Sequence, residues 1–445
     1  MRSDASTPQA FEYRASYRLL GDGAEIAAVA DAPVRLLGEY VELGGEFGRT
    51  HVISYRNVAD ISSREYRIEL DLVTGEQLTL YHLGRHFEGF LRDLNRLRND
   101  LLVRDHLAYE GVIEEGVEAD YQLDEFHRET RGRGEVRLYR SSLVLSTEGD
   151  GIIHIPYGLI FDVIPGDYSL GVVTEYGTRL ELSGMGRAHD HLMSRLSETL
   201  DGLAAETARE LDEIMPRLGP GVISRLTPLL RDGRAASKGE LEEIAPGIWE
   251  AFLEHMDRLG CRDYYEYLRE LSGNDEAFVG VKRGLMGGDD PEHYLWFLVP
   301  MTGAPPGPGN ALAMEAAGGD GGRATYFFRL KDRDGYPGMS AADPNRAVRD
   351  TVSEVNRCMM SINFRREPIY LSPERLGEPR YEHYAAAVAA LPTLRRLREL
   401  FLGRAFHRSP ESWREDVMEL LTSNAEDRDD SAGHSADDQK EGELQ

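Results

Sequence analysis

One segment of this chain occurs twice. Residues 35–94 align with 137–196 at a constant offset of 102, without a gap, and fourteen of the sixty positions are identical. The identities include Arg35/Arg137, Tyr55/Tyr157, Asp60/Asp162, Tyr66/Tyr168, Gly75/Gly177, Gly84/Gly186 and Arg85/Arg187. A period this long corresponds to a whole domain, not to a solenoid unit. The N-terminal half is therefore expected to hold two copies of one fold. Residues kept in both copies read as structural: Arg85 and Arg187, just before each helix, as ties from helix to sheet, and Tyr55, Tyr157, Asp60, Asp162, Gly75 and Gly177 in the same way.

Within the first copy the apolar residues alternate with period two, the signature of half-buried strands. Val34–Leu43 reads as one strand, followed by His51–Tyr55 and Tyr66–Leu72. Thr74-Gly75-Glu76 turns the chain into a strand at Gln77–Tyr81. The period then changes. Phe87, Phe90, Leu91, Leu94, Leu97, Leu101 and Leu102 form one stripe of a helix. The second copy repeats the plan with strands at Arg137–Tyr139, Ser142–Leu145, Ile152–Ile155, Tyr168–Val173 and Arg179–Leu182. Its helix carries Leu192, Leu196, Leu200, Leu203, Leu211 and Ile214 and stops at Pro216.

Small antiparallel sheets closed by one C-terminal amphipathic helix resemble the pleckstrin-homology (PH)-like superfold, over residues 11–215. The likeness is greatest to the small bacterial PH-like domains. It implies a binding or scaffolding module without catalysis. Relatives often bind phosphoinositides through a basic loop, whereas the loops at Gly44–Gly48 and Thr147–Gly151 are acidic here. The expected fold class is α+β: two tandem PH-like β-sandwich or barrel domains, each capped by a helix, then a helical region and a further α/β domain. The expected boundaries are 11–108 and 109–215 for the PH-like domains and 216–275 for the helical region. An α/β domain at 276–371, C-terminal helices at 372–422 and a disordered acidic tail at 423–445 follow.

In the helical region Ser237 and Glu240 have the spacing of a capping box. Strands are expected at Phe278–Val281, Tyr294–Val299, Ala311–Met314 and Thr325–Leu330, then a helix at 345–363. Four strands and a helix echo the earlier plan and admit a third, divergent PH-like domain. Ser372-Pro373-Glu374 is a helix start, and helices are expected at 380–403 and 410–421. The last segment holds eight acids and two bases with almost no apolar residue.

The formal net charge is −27. A field of that sign opposes non-specific binding to nucleic acid or anionic lipid and favours solubility. No apolar run is long enough to span a bilayer, and the first residues lack the apolar core of a signal peptide, so the expected compartment is the cytoplasm. Cys261 and Cys358 read as buried thiols. Four of the 51 basic residues are lysine and the rest arginine, a bias expected of a GC-rich, prokaryotic genome.

No motif names a reaction. His189 and His191 are spaced i, i+2, where a metal pair on a helix needs i, i+4, and so read as surface residues. His82 and His86 have that spacing but straddle a strand–helix junction. Asp332-Arg-Asp-Gly335 lacks the later ligands of a calcium loop. Gly303–Gly309 is glycine-rich without the Gly-Lys-Ser/Thr of a phosphate loop, and Gly318–Gly322 reads as a hairpin connection. The candidate contacts for an anion or peptide are Arg365, Arg366, Arg404, His407 and Trp413, cationic and aromatic residues in the C-terminal half. The competing reading is an arginine–carboxylate network between helices. No catalytic residue, cofactor or metal is assigned. The expected function is a scaffold or adaptor with a protein partner. The alternatives are anionic-lipid binding, a chaperone-like grip on basic proteins, and a small-ligand or enzymatic site in 276–421.

Overall fold

The computed structural model describes residues 10–22, 24–45, 48–106, 110–125, 128–149, 151–273, 275–283, 293–302, 309–318, 321–322, 324–330 and 342–425. The chain is α+β, with three antiparallel seven-stranded sheets and twelve α-helices among the described residues. Residues 303–308, the Asp332–Gly335 segment and residues 426–445 lie outside them.

The first sheet takes β1 (Phe11–Gly21), β2 (Ala24–Leu36), β3 (Tyr40–Gly44), β4 (Thr50–Ser54), β5 (Val58–Arg64), β6 (Arg67–Leu72) and β7 (Gln77–Tyr81) in the order β4-β3-β2-β1-β7-β6-β5. The helix α1 (Phe87–His106) follows. Its stripe residues Phe90, Leu94, Leu97 and Leu101 share one core with Tyr17, Val34, Leu43, Tyr55, Leu70 and Leu80. The second sheet takes β8 (Val112–Glu125), β9 (Arg128–Tyr139), β10 (Ser142–Thr147), β11 (Ile152–Pro156), β12 (Ile160–Gly166), β13 (Ser169–Thr174) and β14 (Arg179–Ser183), and α2 (His189–Ile214) follows. Its order, β11-β10-β9-β8-β14-β13-β12, is that of the first sheet shifted by seven strands.

The expected single strand Val34–Leu43 is instead a hairpin. β2 ends at Leu36, the Leu37 N–H bonds to the Tyr40 carbonyl at 3.0 Å, and β3 returns alongside β2 with Leu36 opposite Val41. Period-two alternation passes through a tight turn without a break, so it does not reveal the reversal. Four strands of these two sheets have no counterpart in the sequence analysis: β1, β5, β8 and β12.

The remaining helices begin with α3 (Pro220–Leu226), α4 (Lys238–Ile244), α5 (Ile248–Arg258) and α6 (Arg262–Ser272). At α4 the capping box is complete: the Ser237 hydroxyl accepts from the Glu240 N–H, and the Glu240 carboxylate accepts from the Ser237 N–H. The third sheet is formed by β15 (Ala236–Ser237), β16 (Phe278–Arg283), β17 (His293–Met301), β18 (Ala311–Gly318), β19 (Gly321–Gly322), β20 (Ala324–Arg329) and β21 (Phe401–Phe406). Its order is β15-β16-β17-β18-β20-β21, with β19 paired to β18, which is not the order of the two repeats. One face carries Val279, Leu295, Phe297, Ala313, Phe327 and Ala405 and shares a core with Trp249, Phe252, Tyr265 and Leu268 of α5 and α6. Trp413, Val417 and Leu421 of α12 (Pro410–Ala425) complete that layer. The other face meets α7 (Ala342–Ser361), α8 (Glu367–Tyr370) and α11 (Pro392–Leu400). Between α8 and α11 lie α9 (Pro373–Leu376), capped by the Ser372 hydroxyl, and α10 (Glu382–Ala390).

The expected helix 380–403 is thus two helices and a strand. Pro392 cannot continue α10 because it has no N–H to give. Phe401–Phe406 pairs with β20, with Gly403 at φ +145°. The last helix runs beyond 421. Asn424, expected to lie in a disordered tail, is buried, donates to the carbonyls of Gly309 and Asn310, and accepts from Arg329 Nε.

The chain divides into two compact units. One contains residues 1–155, 161–193 and 379–390, the other 156–160, 194–378 and 391–445. Inside the first unit α1 joins the two repeats. The Asn95 and Asn99 amides donate to the carbonyls of Glu148 and Thr147, each at 2.9 Å, and Asp100 pairs with Arg137 at 2.8 Å.

Candidate functional site

In the third sheet, alternation sends neighbouring residues to opposite faces. Thr325 and Tyr326 of β20 show the consequence. Thr325 faces the α6–α12 layer. Its hydroxyl donates to Glu315 Oε2 at 2.6 Å, accepts from Trp413 Nε1 at 2.9 Å, and lies 3.2 Å from His407 Nε2. His407 Nε2 is also 3.2 Å from Glu315 Oε2, and its ring stacks on Tyr264 with centroids 4.0 Å apart. Glu315 is fully buried, and its Oε1 and His407 Nδ1 have no hydrogen-bond partner among the described residues. An acid, an imidazole and a hydroxyl in contact are the ingredients of nucleophilic catalysis. Here Trp413 and Tyr264 close over them, so the row is a buried polar network in the core.

Tyr326 faces the other way. With Tyr370 and Phe406 it surrounds the buried Arg404, whose guanidinium carbon is 3.5 Å from the Tyr370 ring centroid, 4.8 Å from that of Phe406 and 5.9 Å from that of Tyr326. Arg366 lies 5.5 Å from the Tyr326 centroid. Buried Arg365 donates through Nε to the Ile362 carbonyl at the end of α7. The five candidate contacts are therefore not one site: His407 and Trp413 lie on one face of the sheet, Arg366 and Arg404 on the other. The guanidinium of Arg404 is held by cation–π contacts.

A second buried charge cluster was not legible in the sequence. Lys282 of β16 pairs with Asp232, both side chains being more than nine-tenths buried, and lies 5.6 Å from the Phe364 ring centroid. Asp232 has left-handed backbone, φ +51°. Next to it Gly233, φ +89°, gives its carbonyl to Trp296 Nε1 at 2.7 Å, and a Cβ there would stand 2.6 Å from the Phe364 ring. Glu210 of α2 faces the same charges. Its pKa is raised to about 7, chiefly by burial, with Asp232 and Glu206 adding to the rise and Lys282 and Arg283 opposing it. A raised folded-state pKa gives stability that is full below the ordinary value near 4.5 and is lost as pH climbs through about 7. Glu210→Gln is accordingly expected to leave stability near pH 5 unchanged and to gain about 2–3 kcal/mol at pH 8. Urea melts at the two pH values, followed by tryptophan emission, check this. A pH dependence as steep in the variant as in the parent would refute it.

The histidines and shared residues of the repeats fall differently from expectation. His189 is buried, bonded to Asp190 Oδ1 at 2.9 Å and to the Ser169 carbonyl at 3.2 Å, so it is not a surface residue, whereas His191 is exposed beside Glu114. His82 and His86 are both exposed, and His82 Nδ1 meets the Ser16 hydroxyl at 3.2 Å. No group of three or more His, Cys, Asp or Glu suited to a metal occurs among the described residues. Both cysteines are free and buried, and burial raises the Cys261 thiol to about 12. Tyr55 and Tyr157 are fully buried, and Gly75 and Gly177 take φ +86° and +80° in their hairpins. Arg85, Arg187, Asp60 and Asp162 are exposed.

Tyr66 and Tyr168 share an unusual setting. Each has left-handed backbone, φ +59° and +57°, and each is exposed, 77% and 74%. Each ring touches the first residue of the following helix, Phe87 or His189. Positive φ is costly for a bulky residue, so both hairpins hold a tyrosine ring outward against local preference. Beside Tyr168, β12 ends its sheet and exposes Phe161 (73%) and Ile164 (40%). At the corresponding places of β5 the first repeat has Ala59 and Ser62. Of the two matching edge strands, β12 is therefore the apolar one and β5 is not.

No protein-family model and no curated protein matches the chain. Among solved structures, the C-terminal domain of an unknown protein from Leishmania infantum is similar at 18% identity, over 23% of this chain and 96% of that one, with a TM-score of 0.19. The Spt16D Pob3N heterodimer is similar at 10% identity, over 38% and 84%, with a TM-score of 0.16. Scores this low establish no shared fold. No described helix is long and apolar enough to cross a membrane.

Proposed function

We propose that this chain is a non-catalytic adaptor whose tandem PH-like domains dock a protein partner along β12. The PH-like reading is supported by the strand order of each repeat, followed in each by one long helix. The observation that carries the docking reading is the apolar edge at Phe161, Ile164 and Tyr168. An edge strand offers unpaired N–H and C=O groups to another chain, and natural proteins usually blunt such edges with charge. Arg64 and Arg67 border the β5–β6 turn of the first repeat, whereas residues 160–178 contain no base. Addition of an extended segment to β12 would satisfy the edge and cover the two apolar side chains.

The test is affinity purification from the native host with the parent and the double variant Phe161→Asp/Ile164→Asp. Both residues are exposed, so the melting temperature should stay within a degree or two. A stoichiometric protein that co-purifies with the parent should be lost from the variant. Its retention, or the absence of any such protein, would count against the reading.

A further inference from the structure

The two repeats share a corner at which a remote segment of the chain is seated. In each, a single 3-10 turn precedes the edge strand β5 or β12: Tyr55–Asn57 in the first repeat and Tyr157–Leu159 in the second. In the first, Arg56 is clamped by Asp105 of α1, with Nε–Oδ2 at 2.5 Å and Nη2–Oδ1 at 2.9 Å, and by Glu39 at 3.1 Å. The second repeat has Gly158 and Thr207 at the places of Arg56 and Asp105. There Arg231 bonds to the carbonyls of Gly158 and Ile160, and Met360 is packed so closely that a Cβ on Gly158 would stand 2.8 Å from its sulfur. The plug of the second corner is buried: Met360, Gly158 and Leu159 are all buried.

The plug of the first corner differs. It is α10, which packs on α1 and on the Tyr55–Asn57 turn and belongs to the same compact unit. Its sequence, Glu-His-Tyr-Ala-Ala-Ala-Val-Ala-Ala, offers small side chains for close approach, and its first residue, Glu382, lies 3.6 Å from Arg56. Of its residues with a described side chain only Ala386 is buried, and Glu382 is half exposed. A nine-residue helix has too few hydrogen bonds to stand without packing, and this one is held mainly by half-buried side chains against α1 and the turn.

We propose that the Arg56 corner of the first repeat is a docking site for a short, alanine-rich helix that begins with a carboxylate, and that α10 occupies it as a replaceable intramolecular ligand. A partner helix of the same chemistry would displace α10. This site is separate from the β12 edge, and either reading stands without the other.

The probe is a fluorescein-labelled peptide of residues 378–391, titrated by anisotropy into the full chain and into an Ala386→Pro variant. Proline in the middle of α10 breaks that helix and frees the corner. The peptide is expected to bind the variant about tenfold or more tighter than the parent, because the parent's corner is already filled. A peptide carrying Glu382→Gln should bind the variant several-fold more weakly. Equal binding to parent and variant, or none to either, would overturn the proposal. Hydrogen exchange on the unaltered chain gives a check that needs no variant. The amides of 386–390 should exchange far faster than those of 94–101 in α1, and equal protection would make α10 a fixed part of the unit.

Discussion

Asp232→Asn is expected to destabilise the unit that holds the third sheet by about 3–5 kcal/mol, the cost of leaving a buried charge without its partner. Asparagine matches aspartate in shape and accepts the left-handed backbone of this position, φ +51°, so the change removes charge and little else. Lys282 then has Glu210 as its neighbouring acid. In acid that carboxyl is held protonated chiefly by its burial, and the ammonium is uncompensated. At pH 8 it is ionised and takes over part of the pairing, so the cost of Asp232→Asn should be smaller there. Combining Asp232→Asn with Lys282→Met removes both charges and should recover most of the loss, because a buried pair is often no better than apolar residues of similar volume. All three tryptophans, Trp249, Trp296 and Trp413, lie in this unit, and Trp296 bonds to the residue beside Asp232. Their emission in urea therefore reports this unit alone. A single variant that melts with its parent, or a double variant as weak as the single, would show that the pair does not hold the loop.

The sequence disclosed the strands whose inward positions are large and apolar, and hid those whose inward positions are small. β6 and β7 bury Ile68, Leu70, Leu72, Leu78 and Leu80, and period two is plain. β1 buries Ala15, Ser16 and Tyr17 in succession, and β8 buries Val117, Ala119 and Tyr121 among acids, so alternation is faint in both. β5 and β12 are edge strands with little burial, and they carry no apolar rhythm to find. β21 was hidden for another reason. Phe-Leu-Gly-Arg-Ala-Phe follows the leucine stripe of α11 and continues a helical pattern until tertiary pairing with β20 decides otherwise. The repeat itself was the more reliable guide, because an offset that spans sheet and helix alike depends on no local propensity.

The candidate residues were legible by type and not by placement. Arg404 and His407 are close in sequence, yet the strand that carries Arg404 sends it to one face while the chain leaving that strand brings His407 to the other. The neighbours that decide what each does, Tyr370 and Glu315, are far away in sequence. Glu315 did leave a trace: it is the one charged residue of β18, Ala-Leu-Ala-Met-Glu-Ala-Ala-Gly. A lone carboxylate in a buried strand needs a partner, and its partners, Thr325 and His407, are supplied by two other segments. The edge at β12 was visible only by contrast, as apolar residues at positions where the other copy has Ala59 and Ser62.

Thr325→Val should show whether the Glu315 network is held by its hydroxyl. Valine has the shape of threonine without the oxygen, so packing is preserved while three polar groups lose a neighbour. Glu315 Oε2 loses its shortest bond, Trp413 Nε1 loses its acceptor, and His407 Nε2 keeps only the carboxylate. A lost hydrogen bond to a charged group costs about 1.5–3 kcal/mol, and an orphaned buried N–H about 1–3 kcal/mol, so a loss of about 3 kcal/mol is expected. Glu315→Gln should weaken the same network from the other side. If hydroxyl and carboxylate act together, the double variant should cost less than the two singles added, with a coupling of at least about 1 kcal/mol. Additive losses would mean that the two groups do not support each other. The emission of Trp413 carries a second readout, since its indole N–H bonds to the altered residue. A shift of the folded-state spectrum in Thr325→Val, absent from the exposed-edge variant Phe161→Asp/Ile164→Asp, would locate the change at this network. It would also separate the two halves of the molecule by function: a polar core in the C-terminal unit that fixes its helices, and an outer edge in the repeats that can be altered without cost to the fold.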